Sequence, residues 1–241
     1  MDSKSSAEAP SRFTLHASRF LYLALASALL ICAPTRAADS TVKTSEKPIP
    51  KQVGDSIRAV LQPKATQLLS ADKPILEAWF RQEIPLKSKP SSGSEALTAV
   101  PETALLGVVT IQDKGLQDYK GNDIPAGTYT ARFGLQPQDG DHLGTAEFNT
   151  FLVLIPADSD KELGGIDKFR PMVKASGKVT PSGHPAILSL RPAPGEGAIP
   201  RVTEPAPEHQ AIRLKLPGKV SGSGEKADVI FDLVYQGKGH T

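Results

Sequence analysis

The sequence predicts a mainly β protein, an antiparallel β-sandwich of the immunoglobulin-like or jelly-roll-like kind with one or two short helices. Three observations carry that expectation. Gly127–Leu135 alternates strictly, with Tyr129, Ala131, Phe133 and Leu135 on one face and Thr128, Thr130 and Arg132 on the other. A two-residue period is what a half-buried strand needs. Ala104–Ile111 and Phe148–Ile155 are short apolar runs, the second apolar on both faces as in a strand central to a sandwich. With 21 prolines and 20 glycines in 241 residues, the chain favours short elements joined by turns.

Taken in chain order, the first segment reads as a secretory leader. Lys4, Arg12 and Arg19 precede an apolar run from Phe20 to Cys32, and Thr35 and Ala37 are the small residues a signal peptidase reads, so cleavage is expected after Ala37. The run is shorter than the roughly 20 apolar residues a membrane span needs. Lipidation at Cys32 is disfavoured by the bulky Ile31 before it. Removal of the leader takes away the only cysteine, so the mature chain is expected to have no disulfide and no thiolate chemistry. Residues 38–52 are polar and read as a flexible lead-in, leaving 53–241 as a single β-sandwich domain.

Within that domain, Val53, Ile57, Val60 and Leu61 have helical spacing, and Pro63 ends the segment. Ala65–Ser70 and Ile75–Ile84 flank Ala71-Asp72-Lys73-Pro74 as a hairpin, with Trp79 on its second strand. Lys87–Glu95 is a loop by composition. Asp158–Ser176 carries Leu163, Ile166, Phe169, Met172 and Val173 at three-to-four spacing, a helix shortened or kinked by Pro171. Strand patterns return at Ala186–Leu190, Ala211–Leu216 and Asp228–Tyr235.

The formal net charge is +2, and no Lys/Arg cluster is interleaved with aromatics, so nothing points to nucleic acid or an anionic membrane. The expected location is the periplasm or the exterior, with no transmembrane anchor once the leader is cut. The expected partner is an envelope protein or a polysaccharide.

Three stretches, Ile124–Asp160, Ala78–Pro85 (AWFRQEIP) and Ala175–Leu190 (ASGKVTPSGHPAILSL), resemble a family of uncharacterised secreted proteins common in planctomycetes and acidobacteria. The resemblance spans most of the mature chain and implies a shared exported domain; it carries no mechanism. Asn149-Thr150 stands where that group commonly has a charged pair ending in Asp before the Phe.

The sharpest polar constellation is Asp139-Gly140-Asp141-His142, two carboxylates and an imidazole within four positions. With His184 in Ser182-Gly183-His184-Pro185, the three residues offer a donor set for a divalent metal, and thereby a metal-binding protein or metal-dependent hydrolase. An Asp-Gly turn between two strands accounts for the same residues without a metal. Ser182 or Ser176 with His184 and Asp141 can be written as a nucleophile, base and orienter, but no Gly-x-Ser-x-Gly supports them. Glu77, Glu83 and Asp118 are scattered carboxylates that nothing pairs. No catalytic residue is assigned. Trp79 shares its face with Glu77, Arg81 and Glu83 and is a candidate glycan-stacking ring, whereas Tyr129 belongs to the apolar face and is expected in the core. Arg81 and Arg132 read as solvated strand positions or partners of Glu77 and Glu83, and His209 and His240 as surface residues. The leading expectation is an exported, non-catalytic module that binds a ligand or partner.

Overall fold

The computed structural model describes residues 40–91, 93–112, 115–118, 121–137 and 149–237. Among the described residues, thirteen strands and two helices follow one another. The first half holds β1 (Ser40–Glu46), α1 (Asp55–Arg58), β2 (Lys64–Ser70), β3 (Lys73–Phe80), β4 (Ile84–Leu86), a 3-10 turn at Gly93–Ala99, β5 (Leu105–Ile111), β6 (Leu116–Gln117), β7 (Asp123–Ile124) and β8 (Gly127–Leu135). The second half holds β9 (Thr150–Pro156), α2 (Phe169–Ser176), β10 (Ile187–Pro192), β11 (Arg201–Ala206), β12 (His209–Val220) and β13 (Lys226–Gln236).

The mainly β expectation holds. One 11-stranded sheet runs in the order β1-β2-β3-β5-β8-β9-β10-β13-β12-β11, every neighbouring pair antiparallel, and β4 joins it in parallel against β12. β6 and β7 form a separate two-stranded ribbon. The sheet curls over on itself: β1 and β11 lie side by side without a ladder between them. Its inner face therefore encloses one continuous core, to which Leu68, Phe80, Val109, Phe133, Leu154, Leu190, Leu214 and Phe231 all contribute from different strands. That sandwich-like arrangement lets a single sheet bury one face without a second sheet.

Two smaller clusters cover parts of the outer face. Val53, Ile57 and Leu61, on and around α1, pack onto Trp79, Leu105 and Val108. Met172 of α2 packs onto Val153 and Ile155. These covers explain why β9 is apolar on both faces, as its sequence required, and why β8 is buried on both faces as well.

The differences from the sequence reading have physical causes. Ser40–Glu46 is not a flexible lead-in but a seven-residue strand in full register with β2. Only Val42 among its residues packs against the inner core, so backbone bonds hold the strand and composition is silent about them. β11 escaped notice for a related reason: it is an edge strand with Pro205 and a register shift between Thr203 and Ala206. The helix expected from Asp158 begins only at Phe169. Pro171 falls in its first turn, where the missing N–H costs nothing, so it starts the helix rather than kinking it. In the β2–β3 hairpin, Ala71 and Asp72 both take left-handed conformations (φ 47° and 62°), the mirror-image turn that matches the strands' twist.

Candidate functional site

Most charged groups drawn into the interior are fully engaged. Arg132, 1 % exposed, forms a bidentate pair with Asp160 (Nε–Oδ2 2.7 Å, Nη2–Oδ1 2.9 Å). The same guanidinium donates to the carbonyls of Thr103 and Glu162 at 3.0 Å and reaches those of Leu163 and Ile166 at 3.4 Å. Thr130 Oγ1 donates to Asp160 Oδ2 at 2.6 Å. This knot ties the loop after β9 to the outer face of β8. Its planar fork matches the carboxylate, and the remaining donors find carbonyls, which is what a buried pair needs to be tolerated.

Glu77 is held likewise. Its Oε1 accepts from Lys47 Nζ at 2.5 Å and from Gln67 Nε2, and its Oε2 from Gln112 Nε2 at 3.2 Å. Elsewhere on the sheet, Arg213 on β12 pairs bidentately with Asp232 on β13 (2.9 and 2.8 Å), and the bond to that carboxylate raises the guanidinium's pKa.

Arg81 is placed differently. β3 ends at Phe80, and the backbone of Arg81 and Gln82 is pinned by Arg81 N–H to Leu106 O (2.9 Å) and Gln82 N–H to Val60 O (2.9 Å). The chain then turns into β4, which runs beside Gly218–Val220 of β12. A side chain at Gly218 would stand 2.6 Å from Leu86 Cδ1, so this approach requires glycine. Beyond it, the β12–β13 turn closes through Val220 N–H to Glu225 O (2.8 Å) and Gly224 N–H to Val220 O (2.9 Å), with Gly222 and Gly224 at positive φ. Ser221 N–H reaches back to Leu86 O at 2.8 Å. A Lys89–Glu225 ion pair (2.8 Å) braces the outside of the turn.

Between the two turns lies a cleft of about 480 Å³, lined by Arg81, Glu83, Ile84, Pro85, Lys219, Val220 and the Ser221–Gly224 turn. Arg81 is half-buried and its Nε is buried with no hydrogen-bond partner. Burial pushes its pKa below the ordinary arginine value; Glu83 opposes that shift and Arg132 adds to it. Two cations, one carboxylate and two hydroxyl-bearing residues can offer a polar or charged ligand both donors and acceptors.

Of the residues singled out from sequence, some fall among the described residues and some do not. Asp139, Asp141, His142 and His240 lie outside the described residues. His184 is exposed, with Nδ1 3.0 Å from Pro185 O. Ser182 Oγ accepts the backbone N–H of His184 (3.3 Å) rather than facing its ring, and Ser176 Oγ is buried between the N–H and C=O of Ala186. Neither serine is placed as a nucleophile beside an imidazole. Among the described residues no group of three His, Cys, Asp or Glu side chains is close enough to share a metal.

Several expectations are corrected. Trp79 is 2 % exposed and its Nε1 donates to Lys47 O at 3.1 Å, so it offers no face to a sugar. Arg132 is neither solvated nor paired with Glu77 or Glu83. His209 is buried, 4 % exposed, with Nδ1 2.8 Å from Pro207 O. Asp118 is buried and caps Asn122 through its backbone N–H (2.8 Å) and side chain (2.9 Å). Tyr129 lies in the core as expected, its hydroxyl donating to Pro125 O at 2.8 Å. The cleft itself was missed: Arg81 and Glu83 sit far from Ser221–Gly224 in sequence, and the only signal was a Ser-Gly-Ser-Gly turn between two strong strand patterns.

Comparison with protein-family models, with curated proteins and with solved structures finds no match to this chain.

Proposed function

We propose that this is an exported β-sandwich module that binds a ligand or partner without transforming it, with the cleft between the β3–β4 and β12–β13 turns as its contact surface. The carrying observation is Arg81, a partly buried guanidinium that lines an open polar cleft together with Lys219. The Nε itself is shielded from solvent, so a ligand would meet the part of the guanidinium that lines the cleft, beside Lys219 and the hydroxyls of Ser221 and Ser223. Export rests on the leader pattern of residues 1–37 and on the resemblance to a secreted family. No helix among the described residues is long and apolar enough to cross a membrane.

Ser223 is exposed at the rim of the cleft, so Ser223→Trp fills the cleft without touching the core. On an array of envelope glycans, the native protein is expected to bind a subset that Ser223→Trp loses while melting at the same temperature. Identical binding by both proteins would move the contact surface elsewhere. The metal reading of Asp139, Asp141, His142 and His184 is decided separately by the metal content of purified protein beside its His142→Ala/His184→Ala variant. The binding-module reading expects equal and substoichiometric metal in both.

A further inference from the structure

Several of the described arginines direct their N–H groups to identified acceptors. Arg132 and Arg213 face carboxylates, Arg58 donates to the carbonyls of Ile49, Pro50 and Val53, and Arg201 donates to those of Glu196 and Ala198. Arg81 lines a cleft and its buried Nε has no acceptor. A guanidinium cannot escape that deficit by releasing its proton, and a buried donor without an acceptor costs free energy. Nε is itself shielded from solvent, but the part of the guanidinium that lines the cleft is best met by an anionic oxygen, because a charge-assisted bond to a planar fork is among the stronger hydrogen bonds available.

The remaining lining restricts what carries that oxygen. Lys219, exposed on the neighbouring strand, adds a second positive charge, and Glu83 offsets one of the two. Ser221 and Ser223 supply hydroxyls, and the apolar contribution comes from Ile84, Pro85 and Val220 without any aromatic ring. Such walls suit a hydroxyl-rich ligand better than a flat apolar one, and a volume of about 480 Å³ lies within the size range of small-ligand sites. We infer that the cleft takes the anionic group of an acidic saccharide, a carboxylate or phosphate ester held by Arg81 and Lys219 with the serine turn facing the sugar hydroxyls. This deepens the binding-module reading and rests on it.

The test is a titration of ¹⁵N-labelled protein, produced with its own N-terminal segment in an exporting host. The probes are a galacturonate trimer, glucose 6-phosphate, inorganic phosphate and maltotriose. The inference expects the acidic sugars to shift the amide signals of Ser221–Gly224, to bind more weakly as salt rises, and to lose about tenfold or more in affinity in Arg81→Gln. Lys219→Gln, on an exposed position, should lose less and provides the comparison if Arg81→Gln disturbs the fold. Galacturonate alone would assign the carboxylate, glucose 6-phosphate alone the phosphate ester, and either supports the inference. Inorganic phosphate binding as tightly as glucose 6-phosphate, with no response to galacturonate, overturns the saccharide. Maltotriose shifting the same amides equally, unaffected by Arg81→Gln, overturns the anion while leaving the cleft a binding site. Silence of Ser221–Gly224 toward all four probes overturns both.

Discussion

Arg132 lies on β8 and Arg81 follows the end of β3, and their surroundings treat them oppositely. Arg132 is covered completely and surrounded by acceptors, a carboxylate first and four carbonyls besides. Arg81 is only partly covered, and its Nε has none. The first arrangement fixes a loop; the second leaves a charge with interaction capacity unspent. Burial alone therefore does not distinguish the two arginines, whereas the state of their donors does.

The largest expected effect tests the engaged side of this contrast. Asp160→Ala leaves Arg132 charged, buried and short of its carboxylate, and should cost about 3–5 kcal/mol in urea unfolding. Replacing both partners, as Arg132→Met with Asp160→Leu, should recover much of that loss, because the penalty belongs to the orphaned charge rather than to the absent pair. If the double variant is no better than the single one, the knot acts through its loop carbonyls rather than through its charge balance. Arg213–Asp232 supplies an intermediate case. Its arginine side chain is 11 % exposed against 1 % for Arg132, so Asp232→Ala lets the orphaned guanidinium rehydrate and should cost less, about 1–3 kcal/mol by the same measurement.

A smaller effect concerns ionisable groups surrounded by apolar walls. Burial raises the pKa of Tyr129, and raises that of Tyr235 against the opposing bond to Ser40. For a phenol the favoured form is neutral, so the folded state resists ionisation more than the unfolded chain. Stability is present in full below the unfolded tyrosine pKa of about 10 and is lost as pH rises through the higher folded values. The urea midpoint should accordingly fall between about pH 10 and the folded pKa values. Tyr129→Phe should flatten that fall, at a cost near 1 kcal/mol at neutral pH for the lost bond to Pro125 O. An unchanged slope in Tyr129→Phe would place the alkaline sensitivity on Tyr235.

The same distinction between composition and partnership explains what could be read from the chain. β8 and β9 were legible because alternation or double-sided apolarity is written in consecutive residues, and the β2–β3 hairpin because its turn residues are local. β1 and β11 were not, since an edge strand is held by backbone bonds that polar residues make as well as apolar ones. Arg132 looked solvated because its partner, Asp160, lies 28 residues further on in a loop with no pattern of its own. Trp79 looked exposed because its strand neighbours on that face are charged. Glu77 beside it is in fact neutralised by Lys47, and the ring is covered by α1. The cleft is the extreme case, assembled from two distant turns that become neighbours only when β4 lies along β12.

The smallest expected stability effect is also the most decisive for the comparison. Arg81→Met removes a guanidinium whose Nε repays none of its desolvation with a hydrogen bond, and keeps the apolar stem that covers the sheet. Its unfolding free energy should stay within about 0.5 kcal/mol of the native protein, or rise. A loss comparable to that of Asp160→Ala would mean that Arg81 is engaged as tightly as Arg132, and the cleft would lose the feature that sets it apart. Unchanged stability together with lost ligand binding separates the two arginines as the structure does, one holding the fold and the other facing outward from it.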